Sequence, residues 1–277
     1  MHILVTNDDG ANAPGLLALA QELRKFAEVS ILAPDRNWSG GGHVETLDRP
    51  LRIKEVILAD GTQALASDGA PSDCVALALP GYFEKKIDLV VSGINPVANL
   101  AHGVTYSGTV TAAMEAVIWD VPAIAVSIDS KKNHLAAVDY APAAQAAAEI
   151  VQAIQQHHLP AGVLLNVNVP YLPYNEIRGI RITRQGLRVY RDRLDARIDP
   201  RGEPYYWIGG DGPTGIPEVG TDFGTLDEHF VSITPLQLNL TANPAIHLLN
   251  TWQWNNQQTI TADLSKGNGK ASSSDQN

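Results

Sequence analysis

The sequence predicts an α/β fold: a doubly wound, mostly parallel sheet with helices on both faces, followed by a C-terminal β-hairpin arm or small subdomain. Three observations predict it. Short apolar runs of strand character alternate with helical patterns up to residue 170. The first run ends in Asn7-Asp8-Asp9-Gly10, a polar cluster where open α/β sheets keep their ligand crevice. Beyond residue 170 the texture changes to alternating strand patterns and a stretch dense in Gly, Pro, Asp and Thr.

Taken in order, HILVT at 2–6 reads as a buried strand, and Pro14 opens a helix whose apolar face is Leu16, Leu17, Leu19, Ala20 and Leu23. VSILA at 29–33 is the next strand. PSDCVALAL at 71–79 predicts a helix, IDLVVSG at 87–93 a strand, Gly108 to Ile118 a helix and AIAVSI at 123–128 a strand. An alanine-rich helix is expected from about Leu135 to Gln156, leading into the strand VLLNVNV at 163–169. IRGIRITRQGLRVYRDRLDARI then reads as hairpin strands, with 199–224 rich in turn residues, DEHFVSITPL as a returning strand, and NPAIHLLNTWQW as a closing helix. The expected organisation is 1–170 as a catalytic domain, 171–262 as arm and closing elements (a strand at 229–236 and a helix returning to the core), and 263–277 as a tail too polar to order itself. An isolated hairpin is barely stable in water, so the arm predicts a homo-oligomer, a hairpin folded back on its own domain being the alternative.

Composition narrows function. Hydrophobic residues make up 44% and charged residues 18%, and no run reaches the roughly 18 apolar residues of a membrane span. The opening MHILVTNDDG lacks a basic flank and a long apolar core, so a cytoplasmic location is expected. Cys74 is the single cysteine, which excludes an intramolecular disulfide and a thiolate metal cluster. The formal charge of −10 offers long nucleic acid no general attraction. A small anionic substrate therefore needs a local cation.

That need directs attention to the strand ends. Asp8 and Asp9, on a turn that Gly10 permits, offer two hard oxygens suited to Mg²⁺ or Mn²⁺. Ser39, in the loop Asn37-Trp38-Ser39-Gly40-Gly41-Gly42-His43, and Asn95, in Ser92-Gly93-Ile94-Asn95, would add neutral oxygens and leave positions open for water and phosphate. Gly40 and Gly41 would let backbone amides approach an anion, and His43 is the histidine placed to touch substrate. Ser107 or Thr109 would cap the helix that Gly108 begins, its first-turn amides facing an anion, with Asn99 nearby. An ordinary Asp-Asp-Gly turn, a flexible glycine loop and a plain N-cap are the competing structural explanations.

In order along the chain, NDDG at 7–10, the Ser-Gly loop at 33–43, SDGAPSDCV at 67–75, SGIN with Asn99, YSGTV at 106–110, VPAIAVS at 121–127, LNVNVP at 165–170 and ITPL at 233–236 resemble the survival protein E (SurE) family of 5′/3′-nucleotidases. The resemblance implies a Rossmann-like domain with a protruding arm, a homodimer or homotetramer assembled through it, one divalent cation on Asp8, Asp9, Ser39 and Asn95, and a phosphate pocket at Asn99, Ser107, Gly108 and Thr109. The implied chemistry is hydrolysis of nucleoside 5′- or 3′-monophosphates by metal-activated water, with Asp8 or Asp9 orienting or deprotonating it. Pro96-Val97 and Ala116 replace glycines usual in that family, and 221–229 is a divergent loop. Short-chain polyphosphate as substrate, a non-hydrolytic nucleotide-binding module, an aspartyl-phosphate phosphatase and an oligomeric scaffold are the alternatives.

Overall fold

A computed structural model describes residues 1–130 and 137–252 of the chain. Its strands are β1 (His2–Thr6), β2 (Glu28–Pro34), β3 (Ile53–Ile57), β4 (Gln63–Ser67), β5 (Leu89–Asn95), β6 (Ala123–Asp129), β7 (Val163–Pro170), β8 (Ile180–Ile182), β9 (Arg188–Ile198), β10 (Pro204–Gly215) and β11 (Val231–Gln237). Its α-helices are α1 (Pro14–Leu23), α2 (Pro71–Leu77), α3 (Gly108–Ile118), α4 (Ala141–His157), α5 (Asp222–Asp227) and α6 (Asn243–Leu249).

Nine strands form one sheet in the order β3-β4-β2-β1-β5-β6-β7-β11-β8. From β4 to β7 every pair is parallel; β3 runs against β4 at one edge, and β11 runs against β7 at the other. The chain moves outward from β1 to β2, crosses to β3 at the edge and turns back into β4, then returns to lay β5 on the opposite side of β1. The strand order therefore reverses between β1 and β5, and a crevice opens beyond their carboxyl ends. Helices cover both faces, as the sequence predicts.

Alternation along the strands sorts side chains into two cores. Ile3, Val5, Val91 and Ile124 face Leu16, Leu19 and Leu23 of α1 and Ile150 and Val151 of α4. Leu4, Val90, Ala123 and Leu164 face Val75 of α2 and Val110, Ala113 and Val117 of α3. Each fully buried leucine contributes about 1.5–3 kcal/mol relative to exposure, so α1 alone is anchored by several such contributions. Pro14 and Pro142 sit at helix starts, where a missing N–H costs nothing. Helix α4 accordingly begins at Ala141; the expected start near Leu135 lies outside the described residues.

The C-terminal half corrects three expectations. Ile180–Ile182 is not part of a hairpin with the strand that follows; β8 pairs parallel with β11 inside the main sheet. The hairpin is β9 with β10, whose second strand occupies the Gly- and Pro-rich stretch read as turns. Its tip is closed by Asp199, whose carboxylate accepts from the amides of Arg201 at 2.8 Å and Glu203 at 2.9 Å. Residues 221–229, expected as a loop, contain α5, capped by Thr221, whose hydroxyl accepts from the Gly224 amide. The chain divides into two compact units, Met1–Leu238 and the remainder from Asn239. In the second, α6 is a short helix opened by a proline; Gln253, Trp254 and the 263–277 tail lie outside the described residues.

Candidate active site

Asp8 and Asp9 follow the last residue of β1 at the point where the strand order reverses. Asn7 closes the turn with its own side chain, donating to the Gly10 carbonyl and accepting from the Gly10 amide, both at 3.1 Å. Gly10 has φ +105, a conformation that side chains other than glycine rarely adopt. The turn is thus held rigid from beneath, with the two carboxylates as its free polar ends.

Asp8 is 3% exposed. The Thr109 hydroxyl donates to Asp8 Oδ1 at 2.5 Å. Gly108 packs so closely that a Cβ there would stand 2.6 Å from the Asp8 Cβ. Ser107, rather than Thr109, caps α3, accepting from the Val110 amide at 3.2 Å. The motif Ser107-Gly108-Thr109 therefore divides its work: one residue caps the helix, one permits contact and one holds a carboxylate.

Asp9 is joined to the glycine loop through Asn37. The Asn37 amide nitrogen donates to Asp9 Oδ1 at 3.2 Å while its oxygen accepts from the Ser39 backbone at 2.8 Å. Trp38 donates its backbone N–H to the Asp8 carbonyl at 2.7 Å. Ser39, Gly40 and Gly41 are exposed. The Gly41 amide is bonded to the Trp38 carbonyl and the Gly42 amide to the Tyr106 carbonyl, so these amides brace the loop instead of facing an anion. His43 bonds Glu115 Oε2 through Nε2 at 2.8 Å, and Trp119 donates to the other Glu115 oxygen at 2.9 Å, tying the loop to α3.

Asn95 reaches this face because β5 is irregular. Ser92 lies opposite Ala125 but Asn95 lies opposite Ser127, three steps on β5 against two on β6. This bulge sends Ile94 into the core under α1 and returns Asn95 to the face of Ser127 and α3. The Asn95 amide nitrogen donates to the Val97 carbonyl at 2.5 Å, which leaves its oxygen available. Asn99 is held by two asparagines of β7: its N–H donates to Asn168 Oδ1 at 2.8 Å, and its carbonyl accepts from Asn166 at 2.8 Å and Asn168 at 3.1 Å. Its own amide donates to Ser127 Oγ at 2.9 Å.

The electrostatics are unusual for two aspartates. Burial pushes the Asp8 carboxyl above the ordinary range, with the Thr109 hydroxyl acting the other way. Asp9 is pushed up to about 6 by burial and by the charge on Asp8, against the bond from Asn37. Burial and then the Asp9 charge also raise the Tyr140 phenol. No cationic side chain contributes to either shift. Among the described residues no group of three His, Cys, Asp or Glu gathers here, so further donors to a cation must be neutral oxygens. Two adjacent carboxylates with raised pKa, with no cationic side chain to offset them, fit a hard divalent cation.

Asn37, Asn166, Asn168 and Tyr140 are additions that reading the residue types along the chain did not single out as site residues. The alternating asparagines of an otherwise apolar β7 were the one visible signal for two of them.

The family model described as "Survival protein SurE" matches residues 3–192. The 5′-nucleotidase SurE of Herpetosiphon aurantiacus is 50% identical over 92% of this chain and 100% of its own length. The 5′/3′-nucleotidase SurE of Serratia proteamaculans is 44% identical, over 91% of this chain and 96% of its own. The crystal structure of the SurE protein from Aquifex aeolicus superimposes with a TM-score of 0.75 at 39% identity, covering 90% of this chain and 98% of that one.

Proposed function

The chain belongs to the survival protein SurE family, and on that premise we propose that it is a metal-dependent phosphomonoesterase acting on nucleoside 5′- and 3′-monophosphates. The observation that carries the reading is the pair of adjacent carboxylates at the switch point, Asp8 buried and Asp9 half-buried, whose proton affinities are raised and which no cationic side chain offsets. Asp8, Asp9, Ser39 and Asn95 would hold one divalent cation, Mg²⁺ or Mn²⁺. Such a cation would supply Lewis-acid chemistry, drawing charge from a phosphate oxygen and making a water more acidic.

The chain's own residues do the rest. Thr109 fixes Asp8, and Asn37 fixes Asp9 relative to Ser39, so the donors are oriented before substrate arrives. The amino end of α3, an 11-residue helix, favours negative charge on the equatorial phosphate oxygens, with Ser107, Thr109 and Asn99 around it. Asp9, held by Asn37, would orient the attacking water and accept its proton.

The test is phosphate release from nucleoside 5′- and 3′-monophosphates with Mg²⁺, Mn²⁺ or chelator, wild type beside Asp9→Asn. Release that requires cation and collapses in the variant is the expected result. Chelator-resistant release, or full activity in Asp9→Asn, sinks the assignment. Short-chain polyphosphate is a second reading, favoured by Arg36, Arg49 and Arg52, which cluster about Asp35 and Asp68 next to the Ser39 loop; faster release from tripolyphosphate than from any nucleotide would establish it.

A further inference from the structure

Asp222 is a fully buried acidic residue at 0% exposure, standing outside the metal site. It accepts three backbone N–H groups. Oδ1 takes those of Gly186 at 2.8 Å and Phe223 at 2.9 Å, and Oδ2 takes that of Ala101 at 2.8 Å. Gly186 lies two residues before β9, and Phe223 is in the first turn of α5, its ring against Gly215 at the end of β10. Ala101 lies two residues beyond Asn99, in the segment that leads to Ser107 and α3. One carboxylate therefore joins the base of the arm to the loop that presents the proposed phosphate contacts.

The join is reinforced from the same side. Gln185 donates to the Ala101 carbonyl at 2.9 Å, so both polar groups of that residue are held by the arm root. Arg188, which begins β9, lies over Gly103 so closely that a Cβ there would stand 2.2 Å from Nη1. Ala101 has φ +49, a conformation alanine rarely adopts unaided and one that persists where surrounding contacts over-determine it. Upstream, Asn166 and Asn168 fix the backbone of Asn99. Release of Ala101 frees the segment between a pinned Asn99 and the start of α3.

We infer that Asp222 is a positioning residue: through Ala101 it sets the loop carrying Asn99, Tyr106 and Ser107 for substrate, and so couples the arm to turnover. The inference rests on the proposed nucleotidase reading. Replacing one carboxylate oxygen by an amide turns an acceptor into a donor facing an N–H, so Asp222→Asn should loosen the loop without touching Asp8, Asp9, Ser39 or Asn95.

The test uses the full chain loaded with Mn²⁺ and compares wild type, Asp222→Asn and Gln185→Leu. Three quantities are read: amide hydrogen exchange over residues 99–107, KM and kcat for nucleoside monophosphates, and Mn²⁺ affinity. The expected result is faster exchange and a KM raised roughly tenfold in Asp222→Asn, as for loss of a hydrogen bond to a charged group, with Mn²⁺ affinity unchanged. Gln185→Leu should show a smaller change of the same kind, and it carries the test if Asp222→Asn does not fold. A purely structural role would lower the melting temperature and the active fraction while KM stayed put; folded variants with wild-type KM and exchange overturn the inference. If the wild type turns over no phosphate ester, the proposed function fails and the role of Asp222 in that reaction falls with it.

Discussion

Thr109→Val is the substitution that best isolates what the protein contributes to the cation site. Valine keeps the shape of a side chain that is 0% exposed, so packing is nearly unchanged and the hydroxyl alone is lost. That hydroxyl donates to Asp8 Oδ1 at 2.5 Å, inside a pocket where Asp8 is 3% exposed. A hydrogen bond to a charged group contributes about 1.5–3 kcal/mol, and it favours the ionised carboxylate over the protonated one. Burial already raises the pKa of Asp8 and the hydroxyl opposes it, so its removal raises the proton affinity further.

A divalent cation must displace that proton, so its affinity depends on pH. The variant should bind Mn²⁺ about 10- to 100-fold more weakly on the acid side, and the two curves should converge as pH rises and Asp8 ionises in both. Calorimetric Mn²⁺ titrations across a pH series, without substrate, read this directly and separate it from any contact Thr109 makes with phosphate. A uniform weakening at every pH, or none, would refute the proton-competition reasoning.

Three further outcomes follow from the same geometry. Asp9 is raised from 3.8 to about 6, so the folded state holds its proton more tightly than the unfolded chain does. The contribution of Asp9 to the stability of the cation-free protein should therefore be fully present below the unfolded pKa and fall by up to about 3 kcal/mol as pH rises through 6, a loss that Asp9→Asn should abolish in chemical denaturation. Gly108→Ala puts a Cβ 2.6 Å from the Asp8 Cβ and 3.2 Å from Pro71 Cγ; it should cost about 1–3 kcal/mol in thermal melts and weaken Mn²⁺ binding, and retention of wild-type affinity would show that Asp8 has room to move. If the arm joins copies of this chain, Ile208→Lys with Trp207→Ser, at positions 83% and 63% exposed, should reduce the mass seen by light scattering, whereas a monomeric wild type would end that proposal.

What was legible in the sequence followed burial. β1, β5, β6 and β7 are buried over most of their length and are visible as apolar runs. β3 alternates half-buried Ile53 and Val56 with exposed Lys54 and Glu55 at the sheet edge, and it left no such signal. β10 contains glycines and two prolines that read as turns, yet its strand is made by backbone pairing to β9. The metal-ligand candidates were legible because they cluster at strand ends. Their supports were not: Asn37 meets Asp9 across 28 positions, and Asp222 meets Ala101 across 121. Contacts of that separation depend on the sheet order, which short-range patterns do not specify.

The same sheet order explains why the site is stable enough to exist. Placing two carboxylates side by side at low exposure raises the free energy of the cation-free fold, most of all when both are ionised. The cost is confined by local bonds: Asn7 locks the turn, Thr109 and Asn37 each stabilise one charge, and the bulge in β5 brings Asn95 to the same face without placing Ile94 in water. The two cores on either side of the sheet offset what remains. Cation affinity and fold stability are then linked, because whatever binds the ionised pair relieves the repulsion that the fold otherwise carries. Replacing the two carboxylates with neutral side chains should stabilise the cation-free protein and abolish the proposed chemistry together.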